Sequence, residues 1–183
     1  MSLPPRDQSE ALIHRHIQTE NLRLHCKMVA AAMEAYAIEL GENQELWYQS
    51  ALLHDLDWEE YPDEHPNKAV REWLADYPEE LRNAILAHGP ERTGREPESV
   101  LERYLYACDE LTGFLHAYSL MRPEGFEGMK ASKVKKKLQD RSFAASVNRD
   151  DIEKGFILIG GDSSAHIQFL IGVYEKMQKT EKA

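Results

Sequence analysis

Eight histidines are many for a chain of 183 residues, and several fall where a helix would turn them inward. His25 belongs to the stripe Leu22, His25, Val29, Ala32, Tyr36, which advances by three- and four-residue steps. His54 falls in Trp47, Ala51, His54, Trp58, and His88 in Leu81, Ala84, Ile85, His88. Asp109 stands four residues after Leu105 and three before Thr112. Residues spaced in this way share one helix face, and here that face is apolar. Asp55 follows His54 directly, about 100° round the same expected helix, so it also turns partly inward. An ionised carboxylate taken out of water must be paired, coordinated or neutralised. Two acids and at least three histidines aimed at one interior satisfy each other most simply by sharing a divalent cation. Each residue also has a plainer reading. A single inward histidine is more often a hydrogen-bonded core residue than a ligand, and Asp109 could cap a helix or pair with a lysine. What favours metal is the joint order: an inward His, an inward His-Asp pair, then an inward Asp, on separate helices.

The elements that must position these residues follow from periodicity and punctuation. Only eight prolines and ten glycines interrupt the chain. Helical spacing runs over Gln8–Thr19, Asn21–Leu40, Glu45–Leu56, Asn67–Tyr77, Glu79–His88, Glu98–Met121, Ala131–Asp140 and Ser163–Lys179. Asn21 is placed as an N-cap, Gly41 as a stop, and Gly89-Pro90 and Gly160-Gly161 as breaks. Asp151–Ile159 could be helix or strand. There is no internal repeat, no run of alternating strands and no long linker. The expected fold is all-α, a compact multi-helix bundle forming a single domain over residues 1–183. The core of the site would span about 20–115, with a helical extension at about 125–183.

Composition narrows the function classes. With 42 % hydrophobic and 30 % charged residues, the chain is neither collagenous nor disordered. Its longest apolar run, Met28–Met33, falls far short of the ~20 residues that span a bilayer. The opening Met-Ser-Leu-Pro-Pro-Arg-Asp has no apolar core for a secretory signal. A soluble, cytoplasmic protein without a membrane partner is expected. Lys and Arg total 22 against 32 Asp and Glu, a net charge of −10, which repels duplex nucleic acid. Cys26 and Cys108 have no metal or redox spacing and read as small core residues.

The motif order also resembles a known family. His25, then His54-Asp55 in Ala-Leu-Leu-His-Asp-Leu, then Asp109 in Ala-Cys-Asp-Glu-Leu-Thr-Gly, is similar to the HD superfamily of metal-dependent phosphohydrolases. The resemblance covers roughly residues 20 to 115. It implies an all-α bundle of the HD-domain type in which His25, His54, Asp55 and Asp109 hold a divalent metal. Binuclear relatives add histidines between the His-Asp pair and the last Asp. His65 and His88 occupy that stretch, with His88 the better placed because it lies on an apolar stripe. Gly89 follows His88, and no Gly-Tyr-Pro follows it, which argues against the cyclic-dinucleotide branch. Relatives that hydrolyse alarmones carry Glu-Asp three and four residues after the pair's Asp. Trp58 and Glu59 stand there in this chain, with Asp57 one earlier, so Glu59 or Asp57 could orient a water.

The function this implies is hydrolysis of a small phosphorylated metabolite, a nucleotide or similar phosphomonoester. One or two ions of Mn, Fe, Co, Ni or Zn would suit nitrogen and oxygen donors. Asp55 could also take a proton from the attacking water. The basic run Lys130, Lys133, Lys135, Lys136, Lys137, with Arg141 and Arg149 beyond it, stands out in an acidic chain. It reads either as a solvated helix face or as a phosphate clamp. In the second case Lys133 and Lys137, on one face, bind the substrate. An HD-fold di-iron oxygenase and a non-catalytic, metal-stabilised binding module are the alternatives. The sequence leaves a homo-oligomer open.

Overall fold

A computed structural model of the chain describes residues 2–181. Among them the regular elements are all helical: α1 (Arg6–His16), α2 (Glu20–Leu40), α3 (Gln44–Leu52), a π-helical turn (Ala69–Trp73), α4 (Glu79–Ala87), α5 (Pro90–Thr93), α6 (Val100–Leu120), α7 (Ala131–Leu138), α8 (Arg149–Ile159) and α9 (Ser163–Glu181). The segment left open between helix and strand is therefore helix α8. The chain divides into two units, Met1–Tyr106 and Ala107–Ala183, and the division falls inside α6. Among the described residues no single helix is long and apolar enough to cross a membrane.

In the first unit, α2 ends where Gly41 takes a left-handed φ of 72°, and the Glu42 N–H donates to Ala37 O at 2.8 Å. Asn43 then starts α3 by accepting from the Leu46 N–H at 3.1 Å. This short reversal lays α2 against α3, burying Cys26, Val29 and Met33 on one side and Trp47, Ala51 and Leu52 on the other. The start of α2 is Glu20, with Thr19 rather than Asn21 at the N-cap position.

The expected helix Glu45–Leu56 is shorter than its periodicity suggested, ending at Leu52. The last helical bond is the one from Leu53 N to Gln49 O at 3.1 Å, and the residues that follow stay inside the unit, Leu53, His54, Leu56 and Asp57 all having 1 % or less of their surface exposed. The backbone instead passes into tight turns, with Leu56 N donating to Leu53 O at 3.3 Å and Trp58 N to Asp55 O at 3.0 Å. His54 and Asp55 thus project from a turn, not from a helix face. The expected helix Asn67–Tyr77 is likewise reduced to the π-helical turn, closed by Leu74 N donating to Ala69 O at 2.9 Å.

The second unit packs the end of α6 with α7, α8 and α9. Both cysteines are free thiols and buried, Cys108 here and Cys26 in the first unit. Thr112 Oγ1 donates to Cys108 O and meets the buried Tyr174 hydroxyl, each at 2.5 Å. Asn148 caps α8 by accepting from the Asp150 and Asp151 N–H groups. A Cβ at Gly155 would lie 2.8 Å from the Ala107 Cα, so α8 and α6 can approach this closely only because the position is glycine. Gly155→Ala is therefore expected to cost about 1–3 kcal/mol of stability in chemical denaturation, whereas Gly161→Ala, with open space around it, costs less.

His166 supplies a pH dependence. Burial pushes its pKa down to about 4 from 6.5, against a hydrogen bond between its Nε2 and Ala107 O. Between those values the unfolded chain binds a proton that the folded unit refuses. Its contribution is intact above pH 6.5 and is lost as pH falls toward 4. Thermal melts should show the melting temperature of His166→Gln falling less over that window than that of the parent.

Candidate metal centre

The turn after α3 presents Asp55 to four imidazoles. Its Oδ2 lies 3.3 Å from His54 Nε2 and 3.8 Å from His25 Nε2. Its Oδ1 lies 3.5 Å from His65 Nε2 and 3.8 Å from His88 Nε2. His25 comes from α2, His54 from the turn, His65 from the segment before the π-helical turn, and His88 from the C-cap of α4. Within each pair the Nε2 atoms also face each other, at 3.3 Å for His25 and His54 and 3.0 Å for His65 and His88.

The opposite ring nitrogens decide what those short approaches mean. His54 Nδ1 donates to Ala51 O at 2.6 Å, and His88 Nδ1 to Ile85 O at 2.5 Å. His65 Nδ1 donates to Asp57 Oδ1 at 2.7 Å. A neutral imidazole has one N–H, so in the neutral form that binds metal each of these three rings presents its Nε2 lone pair toward Asp55. Lone pairs meeting at 3.0 Å beside a carboxylate repel unless a cation stands among them. Metal–nitrogen bonds of about 2.1 Å place neighbouring ligand atoms about 3 Å apart. The donor set therefore fits divalent metal on both sides of Asp55. Asp55, His65 and His88 each offer a ligand atom within 4.8 Å of the others.

Asp57 does not face the lone pairs. It is fully buried, and its Oδ2 accepts from the Ala69 N–H at 2.7 Å while Oδ1 holds His65. A carboxylate behind a histidine in this way fixes ring orientation and would raise the basicity of Nε2 toward a bound metal. His65, ranked below His88 from the sequence, is only 4 % exposed and stands in the centre on equal terms. The sequence had placed it in a polar segment without an apolar stripe, and the missing signal was its fixed acceptor, Asp57.

The remaining expected site residues lie as follows. Glu59 Oε2 accepts from the N–H groups of Gln18 and Thr19 and from Thr19 Oγ1, at 2.9 to 3.1 Å, tying the α1–α2 link to the turn. The Thr19 backbone N–H holds its carboxyl below the ordinary carboxylate range, which makes it a weak base. Asp109 stands half-buried on α6, in the second unit. Lys133 is exposed on α7, whereas Lys137 Nζ donates to Asp140 Oδ2 at 2.9 Å and lies over the Phe143 ring.

Beside His25 opens a cavity of about 790 Å³, lined also by Thr19, Asn21, Leu22, Trp58 and Glu59. Trp58 is 41 % exposed, unusual for its size, and meets the edge of His65 at 4.9 Å. The Arg92 guanidinium sits 5.1 Å over its ring and donates to Pro62 O. An aromatic face thus borders the centre at its open side.

The family described as HD domain matches residues 23–113, a span that contains all four histidines, Asp55 and Asp109. No curated protein and no solved structure gives a significant match. The Asp57–His65 pair yields a direct expectation. Asp57→Asn should keep its helical circular dichroism yet bind Mn²⁺ about 10–100-fold more weakly in titration calorimetry, because His65 loses its anionic acceptor.

Proposed function

The chain belongs to the HD superfamily, and from that premise we propose that it is a metal-dependent phosphohydrolase acting on a small phosphorylated metabolite, a nucleotide or similar phosphomonoester. The observation that carries the reading is the set of four imidazole Nε2 atoms paired on the two oxygens of Asp55. In this reading His25, His54, Asp55 and Asp109 hold one divalent ion, and Asp55, His65 and His88 a second. Such ions offset charge on a phosphoryl oxygen and acidify water near neutral pH.

The chain's own contribution is positional. Asp57 holds the proton of His65 Nδ1 and keeps Nε2 bare. The carbonyls of Ala51 and Ile85 do the same for His54 and His88. Both oxygens of Asp55 face histidines, which suits it to bridging better than to accepting a proton. Trp58 supports the nucleotide over a plain sugar phosphate, since its exposed ring can stack a base beside the centre.

A second reading is favoured by the same carboxylate shared between two histidine pairs, which also suits two irons and oxygenation of a substrate. A panel of phosphomonoesters and phosphodiesters, assayed with Mn²⁺, Fe²⁺, Co²⁺, Ni²⁺ and Zn²⁺, separates the readings. Phosphate release from a nucleotide monophosphate supports hydrolysis. Iron-dependent O₂ uptake without phosphate release supports oxygenation, and metal binding without either supports a scaffold. Stacking on an aromatic ring is worth about 1–3 kcal/mol per base, so Trp58→Ala should raise KM for the best nucleotide about 5–150-fold. The same variant should leave KM for a sugar phosphate nearly unchanged.

A further inference from the structure

The basic run does more than coat a helix. Three of its cations line a cavity of about 350 Å³ built wholly within the second unit: Lys135 of α7, Arg141 of the following turn and Arg149 at the start of α8. Leu138, Ile152 and Phe156 form its apolar wall. Lys135 Nζ donates to the hydroxyls of Ser163 and Ser164 at 3.1 and 3.4 Å, which holds the ammonium at the cavity. By contrast, Lys133 and Lys136 do not line it.

Arg149 is the unusual member. It is only 6 % exposed. Its Nη groups donate to the carbonyls of Ala144, Val147 and Phe143, but its buried Nε has no acceptor among the described residues. The guanidinium is thus held in place by backbone carbonyls, Asp140 O among them, and what it brings to the cavity is a fixed positive charge. Charge agrees. Three cations face a single lining carboxylate, Glu153, in a chain whose net charge is −10. The end of α9 is not the attraction, because Asp162 Oδ1 already accepts from the Ser164 N–H.

We propose that the cavity between α7, α8 and α9 is a binding site for a small phosphorylated ligand, with phosphate against Lys135, Arg141 and Arg149 and an apolar body against Leu138, Ile152 and Phe156. The volume suits a ligand near the lower end of the usual range for small-molecule sites. Guanidinium and ammonium groups together match phosphate oxygens by charge-assisted hydrogen bonds. The proposal stands on second-unit residues alone and does not depend on the reaction assigned above.

Site-resolved NMR on the full chain tests it. Inorganic phosphate and phenyl phosphate are titrated at constant ionic strength, with the amides of Ser163 and Ser164 and the Nε–H of Arg149 as reporters. The expected result is saturable shifts at all three. Lys135→Gln should weaken binding about tenfold, and the control Lys136→Gln should stay within about twofold. Phenyl phosphate should bind more tightly than inorganic phosphate, and equal affinities would overturn the role given to the apolar wall. Shifts that never saturate, or that persist unchanged in Lys135→Gln, would overturn the site itself. Both substitutions are on the exposed side of α7, so folding does not confound them.

Discussion

Four imidazole Nε2 atoms converge on one carboxylate, and the first unit is arranged around that convergence. Nothing apolar can satisfy these atoms, which are polar groups facing one another. Three of the four rings are fixed from behind by an oxygen: Ala51 O for His54, Ile85 O for His88, and Asp57 for His65. The turn after α3, the capped end of α4 and the segment before the π-helical turn exist in forms that place those oxygens. A straight continuation of α3 would move Asp55 off the axis between the two pairs. The centre therefore dictates where helices stop, as much as the helices dictate where the centre lies.

The same segment shows how an acidic stretch is built into the fold. Of the five acids that crowd the residues after the His-Asp pair, Asp57, Glu59, Glu60, Asp63 and Glu64, all but Asp63 meet a donor among the described residues. Asp57 accepts from His65 and Ala69, Glu59 from Gln18 and Thr19, Glu60 pairs with His16, and Glu64 with Arg71. His16 is further held by stacking on Trp73 at 3.8 Å. Acids that look like a repulsive cluster in the sequence are, in the fold, spent on joining α1, the turn and the π-helical segment. Counting charges along the chain could not reveal this, because their partners lie up to 44 residues away.

The all-helical class was legible, since it rests on three- and four-residue spacing sustained over α2, α6 and α9. So were His25, His54, Asp55 and His88, whose apolar neighbours marked them as inward. What periodicity could not show was the break after Leu52. A run such as Leu52-Leu53-His54 keeps helical spacing on paper, and no proline or glycine stands there to announce the turn. Asp57 and His65 escaped for a related reason. Their environment is made by a contact between them rather than by a stripe, and a stripe is all that periodicity detects. The basic run was visible as a run, but which lysine meets a cavity depended on the packing of α7 against α9.

The central claim is that Asp55 is shared between two histidine pairs that hold divalent ions. Anomalous diffraction from crystals grown with Mn²⁺ tests it most directly, because it locates ions without reference to activity. The account predicts one peak within bonding distance of His25 Nε2 and His54 Nε2, a second at His65 Nε2 and His88 Nε2, and Asp55 between them. Full Mn²⁺ exposure with no peak at either pair, or with ions bound by other residues while the Nε2 atoms stay in their present contacts, would contradict it.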